Sequence, residues 1–210
     1  AVPYWVRAAL VLIAFGGGLR WMHDSGFTPR TLQLRGILEE MRKVGRAGLR
    51  YGWRAPPMRL LMSHALLLSG FFFWAWYAWP PYFLGLFGRD AVWLAGVIAA
   101  LFSLAGIAGN ALVSRLARPG RRRTTILLGA SAVLAATMAG TGFIQFFWLT
   151  VPLFLTGAVA AGVLEPVRQS YLHKSIPSSE RATLVSFDGL MASLGSIGWQ
   201  VGLGYLSQER

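Results

Sequence analysis

Residues 92–114, VWLAGVIAALFSLAGIAGNALVS, run for more than six helical turns without one charged side chain. A helix that crosses a bilayer needs about 20 mostly apolar residues. The chain meets that length six times, at roughly 3–22, 59–87, 91–114, 124–144, 146–165 and 186–206. In lipid every backbone amide must find its partner inside the segment, so such runs have to be helices. The ~10-residue alternation of a membrane strand is not seen. The expected fold class is therefore all-α, a polytopic membrane protein with six transmembrane helices. Only 13% of the residues are charged and 55% are hydrophobic, whereas a soluble domain carries about 25% charged residues. Cysteine is absent, which excludes a disulfide framework, a cysteine zinc site and a thiol nucleophile.

The connections are unequal. Residues 23–58 form the one long linker, and Gly88, Arg89 and Asp90 suffice between the second and third runs. The stretch RLARPGRRRTTILLG, 115–129, joins the third and fourth, and little more than Gln145 joins the fourth and fifth. The last connection is EPVRQSYLHKSIPSSERATLVSFD, 165–188, whose two ends overlap the runs. If the spans alternate, seventeen of the twenty Lys and Arg residues fall on one side and only Arg7, Arg89 and Arg210 on the other. Cytoplasmic loops carry such an excess, so the expected location is the inner or plasma membrane, multi-pass, with the basic side cytoplasmic. The arginine cluster is then an inner-face turn broken by Pro119 and Gly120, and no nucleic-acid partner is expected.

Within the linker, Leu34, Ile37, Leu38, Met41, Val44 and Leu49 recur near helical spacing among Arg35, Arg42, Lys43, Arg46 and Arg50. This predicts a basic amphipathic helix. It either lies on the membrane with its arginines toward anionic lipids of the inner leaflet or links two bundles in solvent.

Charges inside a bilayer are costly and mark candidate sites. Glu165 stands at the inner end of the fifth run, Asp188 at that of the sixth, and His64 a few residues into the second. Glu165 can pair with Arg168 or Arg181, and Asp188 can oppose the positive end of its own helix. Among uncharged groups, FFFWAWYAWPPYF, 71–83, is dominated by aromatics. Trp79, Tyr82 and Phe83 suit an interfacial belt. Trp74 and Tyr77 lie deeper, at i, i+3, and share a face that can hold lipophilic or cationic compounds by apolar and cation–π contact, or simply pack against lipid or core. Asn110, Gln145 and Gln200 are the few convergent hydrogen-bonding candidates, with Gln200 in mid-span. Ala105-x-x-x-Gly109, Gly157-x-x-x-Ala161 and Gly198-x-x-x-Gly202 favour close helix packing. HExxH, GxSxG and P-loop motifs are missing, and the three histidines are scattered. An enzyme, a metal site and a cofactor are not expected.

The order of span, long basic linker with a helix, then spans joined by very short outer loops resembles the major facilitator superfamily, transporters of two six-helix halves. GNALVSRLARPGRRR is similar to that family's inner-loop signature: Arg115 matches its first arginine, Gly120 its second glycine, and Arg121 and Arg122 its final pair. Ser114 stands where the signature has Asp. IPSSERATLVSF resembles a loop of bacterial drug-efflux members. The resemblance implies a piece covering about the sixth to eleventh family helices, consistent with a start at Ala1 inside apolar sequence. Residues 1–22 would be the last helix of the N-terminal half, and 23–58 the cytoplasmic central loop. Residues 59–210 would be five helices of an incomplete C-terminal half. It further implies a secondary active transporter working by alternating access, an efflux antiporter for small lipophilic or cationic molecules. A coupling proton would then be a partner, its acid lying in the other half. Arg115, Gly120, Arg121, Arg122, Glu165, Arg181 and Asp188 become inner-gate candidates, and Trp74, Tyr77, Asn110 and Gln200 substrate-cavity candidates. The alternative is a non-transporting scaffold, a receptor or a lipid scramblase on the same fold.

Overall fold

A computed structural model describes residues 2–22, 34–53, 56–88, 90–117, 122–176 and 181–208. The described residues form seven α-helices and one short π-helical turn, with no strand. They are α1 (Val2–Trp21), α2 (Leu34–Ala47), the π-helical turn Gly48–Gly52, α3 (Pro56–Phe87), α4 (Val92–Leu116), α5 (Arg123–Phe143), α6 (Phe147–Ser175) and α7 (Arg181–Gln208). The chain divides into two compact units, Ala1–Glu39 and Glu40–Arg210.

In the first unit α1 is a 20-residue apolar helix with no buried residue. In the second, α3 to α7 form the bundle. Among the described residues five helices, α1, α3, α4, α5 and α6, are long and apolar enough to cross a membrane. The sixth expected span, α7, is long enough at 28 residues. Its glycines, its serines and Gln200 dilute its hydropathy, so length and composition alone do not qualify it. The 165–188 connection is also mostly helical: α6 continues through Pro166 to Ser175, and α7 begins at Arg181. Pro80 and Pro81 likewise sit inside α3, and Pro152 inside α6. Each proline removes one backbone hydrogen bond, a loss that neighbouring helices can compensate in membrane helices.

Three clusters show that successive helices run in opposite directions. The start of α3 (Met58, Leu61, Met62) meets the end of α6 (Leu172) and the start of α7 (Leu184, Phe187), with Ile176 just beyond α6. At the other end Phe83 of α3 meets Ile98 of α4 and Phe147 and Phe154 of α6. Ile126, early in α5, packs on Val163 and Val167, late in α6. The first cluster lies at the basic end of the bundle, the second at the short-loop end. There Gly88 adopts φ +143°, a left-handed conformation that favours glycine and lets the chain reverse between α3 and α4.

Two crossings bring backbones into contact. Added Cβ atoms at Gly195 and Gly70 would overlap the Leu66 carbonyl and the Gly195 carbonyl, which locks α3 to α7. Added Cβ atoms at Gly162 and Gly109 would overlap the Gly106 and Val159 carbonyls, which locks α4 to α6. Such glycines let helices approach closely where lipid offers no hydrophobic drive. Gly109 and Gly157 pack as their spacing suggests, the latter against Met138 and Thr137. Gly198 and Gly202 do not: both are exposed, with nothing near them, and α7 uses Gly195 instead.

Candidate functional site

Trp74, Tyr77, Ala78 and Pro81 of α3 recur at i, i+3, i+4, i+7 and so form one stripe. Gln200 and Ser207 of α7 lie two turns apart on a second. The two stripes face each other across an open groove of about 430 Å3, lined by these six residues. Gly204, one turn from Gln200, has no side chain and nothing within 4 Å, which leaves the groove wide. Tyr77 stays 71% exposed, and Trp74 is half-buried with its ring 6.4 Å from that of Phe71. Three of the four cavity candidates thus meet in one place. Asn110 does not join them; it is exposed near the end of α4, a helix that does not border the groove.

Trp79 and Phe83 build an aromatic cluster at the short-loop end of the bundle. Trp79 stacks near Phe83 and Phe154 at 6.4 and 6.0 Å. Phe83 is 1% exposed and sits edge-on to Phe147 and Phe154. Offset and edge contacts of this kind add about 0.5–1.5 kcal/mol per pair beyond area burial. Tyr82 donates its hydroxyl hydrogen to the Thr141 carbonyl at 2.5 Å, which ties α3 to the end of α5.

At the basic end the charges sort differently from the sequence expectation. Glu165 is exposed and accepts a hydrogen bond from Gln169 at 2.9 Å. Arg168 pairs instead with Asp188. Both are buried, at 5% and 6% exposure, and the pair joins α6 to α7. The expectation had placed Glu165 beside Arg168 because they are three residues apart. Asp188, twenty residues on, comes within reach only when α7 folds back on α6. Arg181 is exposed and donates to the His173 carbonyl at 3.4 Å. Arg115 and Arg122 are exposed at the facing ends of α4 and α5. Gly120 and Arg121 lie outside the described residues. Arg123, not singled out by the sequence, donates to the carbonyl and hydroxyl of Ser170 at 3.0 and 2.7 Å.

A larger cleft, about 650 Å3, opens between α3 and α5. It is apolar apart from His64 and Ser131, whose Nε2 and Oγ are 3.5 Å apart. It offers no convergent set of polar groups, which a site for a specific ligand requires. Among the described residues no group of three or more His, Asp or Glu side chains is arranged to hold a metal ion.

A bundle of long apolar helices crossing at glycines is the architecture of a polytopic membrane protein. The family profile described as Major Facilitator Superfamily matches residues 1–199. The chain belongs to that superfamily, and it is accordingly a multi-pass membrane transporter for small molecules. Among the curated proteins and the solved structures, none matches the chain.

Proposed function

We propose that the protein is a secondary active transporter that exports lipophilic, cationic compounds by alternating access, with the α3–α7 groove as part of the substrate path. One observation carries this reading: Trp74 and Tyr77 of α3 line a single open groove with Gln200 of α7, which is far from them in sequence. Aromatic faces attract a desolvated cation by about 2 kcal/mol or more. Among the described residues no carboxylate lines the groove, so a strongly hydrated polar solute would gain little there. Sugars and peptides need several convergent hydrogen-bonding groups, and Gln200 is the one side-chain amide among the described lining residues.

The basic end is assigned to the cytoplasm of the inner or plasma membrane, where lysine and arginine accumulate. There α2 would lie against anionic lipids. Arg115, Gly120, Arg121, Arg122, Glu165, Arg181 and Asp188 would belong to the inner gate, and a proton antiported from outside would drive export.

The test is uptake of a fluorescent lipophilic cation by inside-out vesicles holding the full-length protein, with and without a proton gradient. Gradient-dependent uptake is the expected result. Vesicles that move the dye equally well without protein, or that move only lipid, would defeat the reading and favour a scaffold or a scramblase. In the same vesicles, an impermeant maleimide should label a cysteine placed at Ser114 and spare one at Gln145. The opposite pattern reverses the orientation.

A further inference from the structure

The basic end of α7 is gripped from two sides. From α6, Arg168 donates to Asp188. From the linker, Gly48 at the head of the π-helical turn lies against the ring of Phe187, where an added Cβ would overlap the ring carbons. Phe187 and Asp188 are adjacent, so their side chains leave the helix about 100° apart. Phe187, Leu184 and Leu172 are buried at this end. Farther along, α7 crosses α3 where the Leu66 carbonyl touches Gly195 and Trp199 packs over Gly70; added Cβ atoms at Gly198, Gly202 and Gly204 would meet nothing within 4 Å. Val201, Tyr205 and Leu206 are exposed. Gln200 lies about 7 Å beyond the crossing and Ser207 about 18 Å beyond, at 1.5 Å per residue.

A rod held at one end and crossing a close contact near its middle moves its far end when the grip moves. We infer that Gly48 and Arg168 are positioning residues for transport: together they set the inner end of α7, and through it the α7 wall of the groove. Neither residue lines the groove. Gly48 matters because only hydrogen fits between the linker and the Phe187 ring, and Arg168 because it holds the neighbouring side chain from the opposite helix. The linker thereby acts on the groove through α7. The inference rests on the proposed function for its consequence in transport, but its structural part can be measured separately.

The experiment places a single cysteine at Gln200 in the full-length protein, other cysteines being replaced; the present chain contains none. The rate of maleimide labelling is measured without substrate, and uptake of the fluorescent lipophilic cation is measured separately, with the same Gly48 and Phe187 substitutions in protein that retains Gln200. Gly48→Val should change the labelling rate and lower the maximal uptake rate by about fivefold each, at the low end of coupling between distant sites. The apparent KM should move much less. Phe187→Ala, which makes room for the valine, should return both toward the parent value. If Gly48→Val does not insert, Gly48→Ala with the same Phe187→Ala rescue takes its place. An unchanged labelling rate in a folded Gly48 variant overturns the inference. So does a change that Phe187→Ala fails to reverse, or altered labelling with undiminished uptake. If the parent protein moves no cation at all, the substrate reading fails while labelling still decides whether the linker positions α7.

Discussion

The α3–α7 and α4–α6 crossings are built alike at their centres and differ beyond them. In each, a glycine on one helix meets a backbone carbonyl on the other: Gly195 against Leu66, and Gly162 against Gly106. Away from the α4–α6 contact the neighbours are apolar and close-packed, with Val163 and Val167 toward one end and Phe102 beside Phe154 toward the other. Away from the α3–α7 contact one end is closed by Met58, Leu61 and Met62 against Leu184 and Phe187, where a buried ion pair also ties α7 to α6, and the other end opens into the groove. The contrast teaches that glycine contact sets how near two helices come, while the residues a few turns away decide whether the pair is a fixed wall or a working surface. α4 with α6 reads as frame. α3 with α7 combines an anchored end and an open one, the combination that a moving substrate path needs.

The largest expected effect would test the shared centre. Gly195→Leu and Gly162→Leu each place a side chain against backbone, which cannot shift as a flexible side chain can. Overpacking costs about 1–3 kcal/mol and occasionally more, and here the upper end should apply to both. Monodisperse protein recovered in detergent should fall sharply for either variant. A collapse for one crossing alone would mean that the two centres are not equivalent.

Next in size is the buried ion pair that ties the basic end of α7 to α6. Arg168→Ala leaves Asp188 buried without its partner, a loss of about 3–5 kcal/mol for a broken buried pair. Arg168→Met combined with Asp188→Leu removes both charges and should regain most of the thermal stability, because a well-packed apolar pair is often as stable. A double variant as unstable as Arg168→Ala would show that packing, not charge, is what these positions supply.

Trp74 and Trp79 sharpen the same contrast along one helix. Trp74→Ala should raise the apparent substrate constant about tens-fold, from a lost desolvated cation–π contact of about 2 kcal/mol or more, with little change in melting temperature. Trp79→Ala should do the reverse, because it removes a ring from the cluster of Phe83 and Phe154; truncating a buried aromatic costs about 3–5 kcal/mol. Transport kinetics and thermal melts of the two variants would check this. Equal effects on the substrate constant would place both rings outside the substrate path.

The smallest effect belongs to the exposed arginines. Arg115→Ala with Arg122→Ala should change stability by no more than about 1 kcal/mol, since both side chains are exposed. Slower transport at unchanged stability would support the gate assignment, and unchanged transport would leave these residues only a role in orientation.

The helices were legible because their cause is local. A run such as 92–114 must satisfy its own amides, so its length predicts α4 to within two residues at each end. Trp74 and Tyr77 could be paired from spacing because three residues make one helical face. What spacing could not supply was the identity of the neighbour. Gly198 and Gly202 have the same interval as a packing motif, yet Gly195 makes the contact. Arg168 stands three residues from Glu165 and bonds to Asp188. Trp79 carries an interfacial residue type, and its ring packs beside Phe154 of α6. Gly48 gave no sign in the sequence of the ring it adjoins, and the signal that a glycine occurs in a linker is too common to use.

Sequence alone therefore determined what each segment had to be: apolar runs long enough to become helices, charges gathered at one set of connections, and the residue order that places the chain in its superfamily. Those properties depend on hydrogen bonding within a segment and on hydration of its ends, which act over a few residues. Tertiary structure alone decided which glycine lies against which carbonyl, which carboxylate neutralises Arg168, and that Gln200 faces Trp74 and Tyr77. Those outcomes depend on the angle and rotation at which two helices meet, and these are set by packing of side chains from different helices, beyond the reach of local spacing.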